Sequence, residues 1–131
     1  MTTKICTDLS QSKKLAEFLP HESADMHYNN VSIKGINYVD EHRAELMEYN
    51  RAIKVLSKYT INPLFEVIPC WSLSALLDIL KYPLLTQDVE NKWSITDWTG
   101  AYPKSEYGFD CPIDACYKMI LKLHEQKLLQ L

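Results

Sequence analysis

Ile68-Pro69-Cys70-Trp71-Ser72-Leu73-Ser74-Ala75-Leu76-Leu77-Asp78-Ile79-Leu80 reads as an extended entry, a serine cap and a short helix with one apolar face. Ser72 is placed to accept a hydrogen bond from one of the first free helical N–H groups. Trp71 and Leu76 occupy the flanking positions of a hydrophobic staple. Leu73, Leu76, Leu77 and Leu80 fall at i, i+3, i+4 and i+7, one stripe facing a core. Everything in this stretch is architectural, and none of it is catalytic chemistry.

Working outward, Pro63-Leu64-Phe65-Glu66-Val67-Ile68 is strand-like and runs directly into the serine cap. The helix is predicted to end by Tyr82, because Pro83 restricts the residue before it and cannot continue the hydrogen-bond ladder. Leu84 to Asn91 is a connection or a weak strand. Lys92-Trp93-Ser94-Ile95-Thr96-Asp97-Trp98-Thr99 then carries a strong β signal of aromatic and β-branched residues. In a regular strand Trp93, Ile95 and Asp97 share a core-facing side, which leaves Trp98 on the more polar side. Gly100 to Asp110 reads as a loop near the long end for a compact domain, and long ordered loops are enriched in binding roles.

The last element is the clearest helix. Asp110 or Cys111 caps it, Pro112 falls in its first turn, and Asp114 suits the same end. Ile113, Cys116, Tyr117, Ile120 and Leu123 form its buried stripe. Toward the N-terminus, Asp8 to Leu19 reads as a helix capped by Thr7 or Asp8 and stopped by Pro20. Met26, Tyr28 and Val31 suggest one face of a short strand, although Val31 is out of step with the alternation. Val31 to Val39, holding Gly35, is a second strand or a loop. Asp40 to Tyr59 shows the longest helical pattern, with Leu46, Tyr49, Ile53 and Leu56 stepping by three, four and three. Asp40 caps it, and Lys54 and Lys58 fall near its end. That pattern suits a helix packed on a sheet; the alternative is an exposed helix that docks a partner.

The chain has 131 residues, enough for one domain spanning 1–131 and for a core that needs no metal or disulfide. Apolar residues make up 47% and charged residues 24%, which excludes disorder along most of the length. The formal charge of −3 disfavours a general affinity for nucleic acid. Lys13 with Lys14, and Lys118 with Lys122, read as solvated helix faces. No apolar run reaches the ~18 residues of a membrane span. Met1 to Asp8 carries no apolar export core, so the expected location is cytoplasmic, with Cys6, Cys70, Cys111 and Cys116 reduced.

The search for chemistry returns little. Cys111, Cys116 and His124 share a helix, but Cys116 and His124 lie two turns apart, about 12 Å at 1.5 Å per residue, too far to ligate one ion. His21, Asp25 and His27 form a cluster of potential ligands or acid–base groups without a recognisable fourth partner. Cys70 precedes a helix cap, where a dipole lowers a thiol pKa, yet Pro69 and Trp71 surround it with apolar bulk. Asp78 points away from the leucine stripe. Three glycines are too few for a phosphate-cradling loop, and no nucleophile or zinc-protease motif occurs. No catalytic residue, metal site or cofactor is therefore expected. The remaining signal is aromatic. Trp98, Tyr102, Tyr107 and Phe109 come from a strand end and the following loop, and such residues dominate interaction hot spots.

Lys4-Ile5-Cys6-Thr7, Gln11-Ser12-Lys13-Lys14-Leu15 and Ala24-Asp25-Met26 together resemble the opening of a family of small uncharacterised proteins. These occur in Bacteroides-type gut bacteria and in their phages and mobile elements. Ile68 to Leu77 is similar to that family's central IPxWSLSALL run, and Pro112-Ile113-Asp114-Ala115-Cys116-Tyr117-Lys118-Met119-Ile120 to its C-terminal helix. Cys70 stands where the family more often has Ala, as suits a packing position. The stretch from Val31 to Leu64 finds no counterpart. The family brings no activity or functional residues, so the resemblance implies context only: cytoplasmic, phage- or element-linked and accessory.

The expectation is a single α+β domain, with three to four helices packed on a small, mainly antiparallel sheet. The favoured function is a non-catalytic interaction module acting on a host or phage protein, with a homo-oligomer as a further option. The alternative is a small enzyme or ligand-binding domain using the His21/Asp25/His27 region. A nucleic-acid-associated protein ranks third.

Overall fold

The computed structural model describes residues 4–33, 36–39, 45–46, 64–100 and 102–129. Its elements are α1 (Leu9–Ala16), a 3-10 turn (His21–Ser23), β1 (Met26–Ile33), β2 (Ile36–Val39), β3 (Glu45–Leu46) and β4 (Leu64–Cys70). They continue with α2 (Leu73–Ile79), β5 (Pro83–Gln87), β6 (Trp93–Asp97), β7 (Lys104–Phe109) and α3 (Pro112–Glu125). The chain is α+β. Its strands form two antiparallel sheets where the sequence suggested one. It divides into two compact units, one of Asp8–Trp71 and one of Met1–Thr7 with Ser72–Leu131.

In the Asp8–Trp71 unit, Asp8 caps α1 through a reciprocal capping box. Its Oδ1 accepts the Gln11 backbone N–H at 2.8 Å, and its own N–H donates to Gln11 Oε1 at 3.1 Å. The helix ends at Ala16, three residues short of the predicted Leu19. Its last turn tightens as the Phe18 and Leu19 N–H groups both turn back to the Leu15 carbonyl.

The sheet of this unit is built around β1. β4 pairs along one edge of it, from Met26↔Cys70 to Ser32↔Leu64. β2 pairs with residues 30–33 and β3 with residues 26–27, so these two occupy the other edge. The Val31–Val39 stretch is thus the end of one strand and a second strand. Met26, His27 and Tyr28 are all buried. Successive side chains leave opposite faces of a strand, so both faces of this end of the sheet are covered. Glu45–Leu46, inside the predicted Asp40–Tyr59 helix, is strand. A helical apolar period does not outweigh pairing when a strand edge is on offer. The rest of that predicted helix lies outside the described residues.

β4 continues two residues beyond the predicted Ile68, through Pro69 and Cys70. Among the described residues it pairs on one edge only, the setting in which a strand tolerates proline. The Trp71 indole is fully buried, and its Nε1–H donates to Ser23 Oγ at 3.0 Å.

The other unit begins with Ser72, whose Oγ accepts the Ala75 N–H at 3.3 Å and caps α2. Leu76 and Leu80 are buried as the spacing requires, together with Ala75. Leu73 and Leu77 are half-buried, so the apolar stripe is rotated toward Ala75. Asp78 is exposed. β5, β6 and β7 follow as an antiparallel meander. The β5–β6 connection is held by Asp88, whose N–H donates to the Lys92 carbonyl and whose Oδ1 accepts from the Glu90 and Lys92 N–H groups. Asn91 takes a left-handed conformation at φ 64°, which asparagine tolerates better than most residues.

α3 is capped by Cys111, with Pro112 in its first turn. It packs on β6, β7 and α2. Sandwiched between sheet and helix, it buries a wider face than the predicted stripe. Ala115 and Met119 join Ile113, Cys116, Ile120 and Leu123, while Tyr117 is half-buried. Residues 4–7 belong with this unit. Cys6 bridges Ser72, and Lys4 pairs with Asp114 at 2.8 Å, satisfying the helix-entry carboxylate with a cation.

Candidate functional site

The three-stranded sheet has two unlike faces. Register places Leu85, Ile95 and Glu106 side by side, and likewise Pro83, Asp97 and Lys104. Ile95 and Asp97 are fully buried, and Glu106 meets Lys122 of α3 at 3.4 Å, so this is the side α3 covers. Asp97 Oδ1 accepts the Thr99 N–H at 2.8 Å and shapes the exit from β6. Its Oδ2 is buried without a hydrogen-bond partner among the described residues.

Alternation assigns the opposite side to Tyr82, Leu84 and Thr86 from the β5 strand line, and to Ser94, Thr96 and Trp98 from that of β6. The Trp98 N–H donates to the Tyr82 carbonyl at 3.3 Å, extending the ladder by one pair and setting these two rings opposite each other. Leu84 stands opposite Thr96, and Thr96 Oγ1 lies 2.9 Å from Ser105 Oγ on β7. Tyr107 completes this face. The register shifts between the Trp93↔Phe109 and Ile95↔Glu106 pairs, so Tyr107 and Gly108 together oppose the single residue Ser94. Gly108, at φ +82°, supplies the left-handed residue of this bulge.

The result is a sheet face with a central row of hydroxyl residues and large apolar side chains around it. Tyr82 is 63% exposed, Leu84 53%, Trp98 56% and Tyr107 73%. None of the residues assigned to the face carries a charge.

This arrangement corrects the sequence reading of Gly100–Asp110 as a loop, since Lys104–Phe109 is strand β7. Glycine and a Pro-Lys-Ser-Glu run conceal a strand whose place is fixed by pairing with β6. The four predicted aromatics consequently separate. Trp98 and Tyr107 share the open face. Tyr102 sits in the β6–β7 connection, 78% exposed. Phe109 pairs with Trp93 on the opposite side and is half-buried. The bulge adds one residue between Tyr107 and Phe109, which moves Phe109 across the sheet. Tyr82 and Leu84 were missed. Their signal was the alternation of Tyr82, Leu84 and Thr86 around Pro83, which becomes meaningful only once β5 is a strand.

The other chemical candidates are dispersed in character. His21 is exposed on the 3-10 turn, Asp25 is half-buried, and His27 is buried in β1. Among the described residues no group of three His, Cys, Asp or Glu side chains is close enough to hold a metal ion. Cys6 and Cys70 are buried. Burial pushes the Cys116 thiol up to about 12, and burial likewise raises that of half-buried Cys111, whose Sγ accepts the Asp114 N–H. Both shifts disfavour the nucleophilic thiolate. His124 is exposed on the last turn of α3. No helix among the described residues is long and apolar enough to cross a membrane.

Compared with family models, curated proteins and solved structures, the chain matches none.

Proposed function

We propose that this chain is a non-catalytic accessory protein whose working surface is the open face of the β5–β6–β7 sheet, and that its partner is another protein. The observation that carries this reading is the gathering of Tyr82, Leu84, Trp98 and Tyr107, each more than half exposed, on one uncharged sheet face. Aromatic side chains supply large contact area at low conformational cost and recur as interface anchors. A neutral face also lacks the cations that backbone phosphates require, which favours a protein over nucleic acid. The absence of charge points to an apolar, aromatic-lined counterpart.

In this reading, which also draws on the resemblance to small proteins of Bacteroides-type bacteria and their phages, the partner is a host or phage component in the cytoplasm.

Affinity capture from the native host, with Trp98→Ala and Tyr107→Ala as controls, tests the proposal. Both variants are expected to keep their melting temperature and lose the captured protein. Capture unchanged in both variants excludes the face as the working surface.

A further inference from the structure

We propose that two copies of this chain associate through the free edge of β5, pairing antiparallel about Leu85 and continuing two three-stranded sheets into one of six. β5 pairs with β6 on one edge, and no other strand among the described residues meets it. The parity of its backbone groups is fixed at both ends. Trp98 donates to the Tyr82 carbonyl, and the Asp88 N–H donates to the Lys92 carbonyl, so even-numbered residues bond toward β6. Pro83, Leu85 and Gln87 therefore turn their backbone groups to the free edge. This places the missing N–H of Pro83 where no intrachain bond is lost.

The two outer edges of the sheet are treated differently. β7 carries the Tyr107–Gly108 bulge and the charged residues Lys104 and Glu106, devices that discourage a further strand. β5 is Pro-Leu-Leu-Thr-Gln, without bulge or charge. A two-fold axis brings each strand against its own copy, so a charge near the axis would meet its like; β5 has none. Charge appears only at its ends, with Lys81 before it and Asp88 and Glu90 after it. Antiparallel self-pairing brings the basic end of one copy against the acidic end of the other.

With Leu85 opposite Leu85 of the second copy, the two residues exchange N–H···O bonds. Each Gln87 N–H then reaches the Pro83 carbonyl of the other copy. Leu84 stands opposite Thr86, and the open faces of both copies lie on the same side. The Tyr82–Leu84 margin becomes the middle of a continuous face rather than its rim. This pairing stands independently of the partner proposed above, because it uses backbone groups of the edge and not the aromatic side chains.

Sedimentation velocity over a wide concentration range, with the full chain under reducing conditions, is expected to show a monomer–dimer equilibrium. Leu85→Pro and Gln87→Pro each remove an edge-facing donor and spare every bond to β6. Each is expected to raise the dissociation constant by at least about tenfold, with far-UV circular dichroism unchanged. Register is read separately: L84C mixed with T86C and oxidised is expected to give a cross-linked dimer that neither variant gives alone. A monomer at every concentration overturns the proposal, as does dimerisation that survives both proline variants. If the proline variants fail to fold, absence of the mixed cross-link overturns it alone.

Discussion

The Trp71 indole N–H donates to the Ser23 hydroxyl at 3.0 Å, and that hydroxyl donates in turn to the Pro20 carbonyl at 2.6 Å. Two residues 48 positions apart thereby fix the end of β4 against the turn that precedes β1. Trp71 is fully buried, so its single donor has no water to fall back on. Ser23→Ala leaves it orphaned and is expected to cost about 1–3 kcal/mol in urea unfolding. A double-mutant cycle with Trp71→Phe is expected to show coupling near ~1 kcal/mol; additivity would disprove the bond's contribution.

The helix caps offer a second measurement. Ser72→Ala removes one acceptor at the start of α2 and is expected to cost about 1 kcal/mol. Asp8→Ala removes the acceptor for the Gln11 N–H but keeps the backbone N–H that donates to Gln11 Oε1, and is expected to cost a similar amount, about 1 kcal/mol. Loss of partner binding by Ser72→Ala at an unchanged melting temperature would reveal a site where only a cap is seen.

Gly108 has open space where a Cβ would stand, so Gly108→Ala tests backbone conformation without a clash. At φ +82° an alanine is strained, and about 1–2 kcal/mol of destabilisation is expected. Thermal unfolding with no loss relative to the native chain argues against the bulge as described.

The Cys116 thiol, raised from 9.0 to about 12 by burial, makes stability depend on pH. The folded state keeps its proton while the unfolded chain releases it. Stability from this group is full below pH 9 and declines as pH rises toward 12, at up to about 1.4 kcal/mol per pH unit. Urea midpoints taken at several pH values above 9 are expected to fall, and to fall less in Cys116→Ala. Equal slopes in the two proteins refute the assignment.

Phe109 and Trp98 are expected to behave oppositely although both are aromatic and both end a strand. Phe109→Ala removes a half-buried ring from the side of the sheet that α3 covers, and is expected to lower the melting temperature. Trp98→Ala removes an exposed ring and is expected to leave it nearly unchanged. A reversal of this order means the faces have been assigned the wrong way round.

Local order was legible where side chains act on their own backbone. Ser72, Asp8 and Cys111 cap helices because their acceptors lie within three residues of the donors they satisfy. The core side of β6 was legible for the same reason, since a period of two is a property of one strand. β7 was hidden because Gly108 and the polar Lys104–Glu106 run suggest a loop, and only β6 makes them a strand. The open face was half legible: Trp98 and Tyr107 carried the signal, but Tyr82 and Leu84 join them only through register.

The stretch from Ile68 to Leu80 shows the same division within a few residues. Its sequence determined an extended entry, a serine cap and a helix, because each is settled by neighbours along the chain. Tertiary structure alone decided that a boundary between compact units falls between Trp71 and Ser72, that Trp71 bonds to Ser23, and that Cys6 bridges Ser72. It alone decided that Phe109 leaves the face Tyr107 keeps. Partners distant in sequence are chosen by what the whole chain can bury and pair, and no local pattern records that choice.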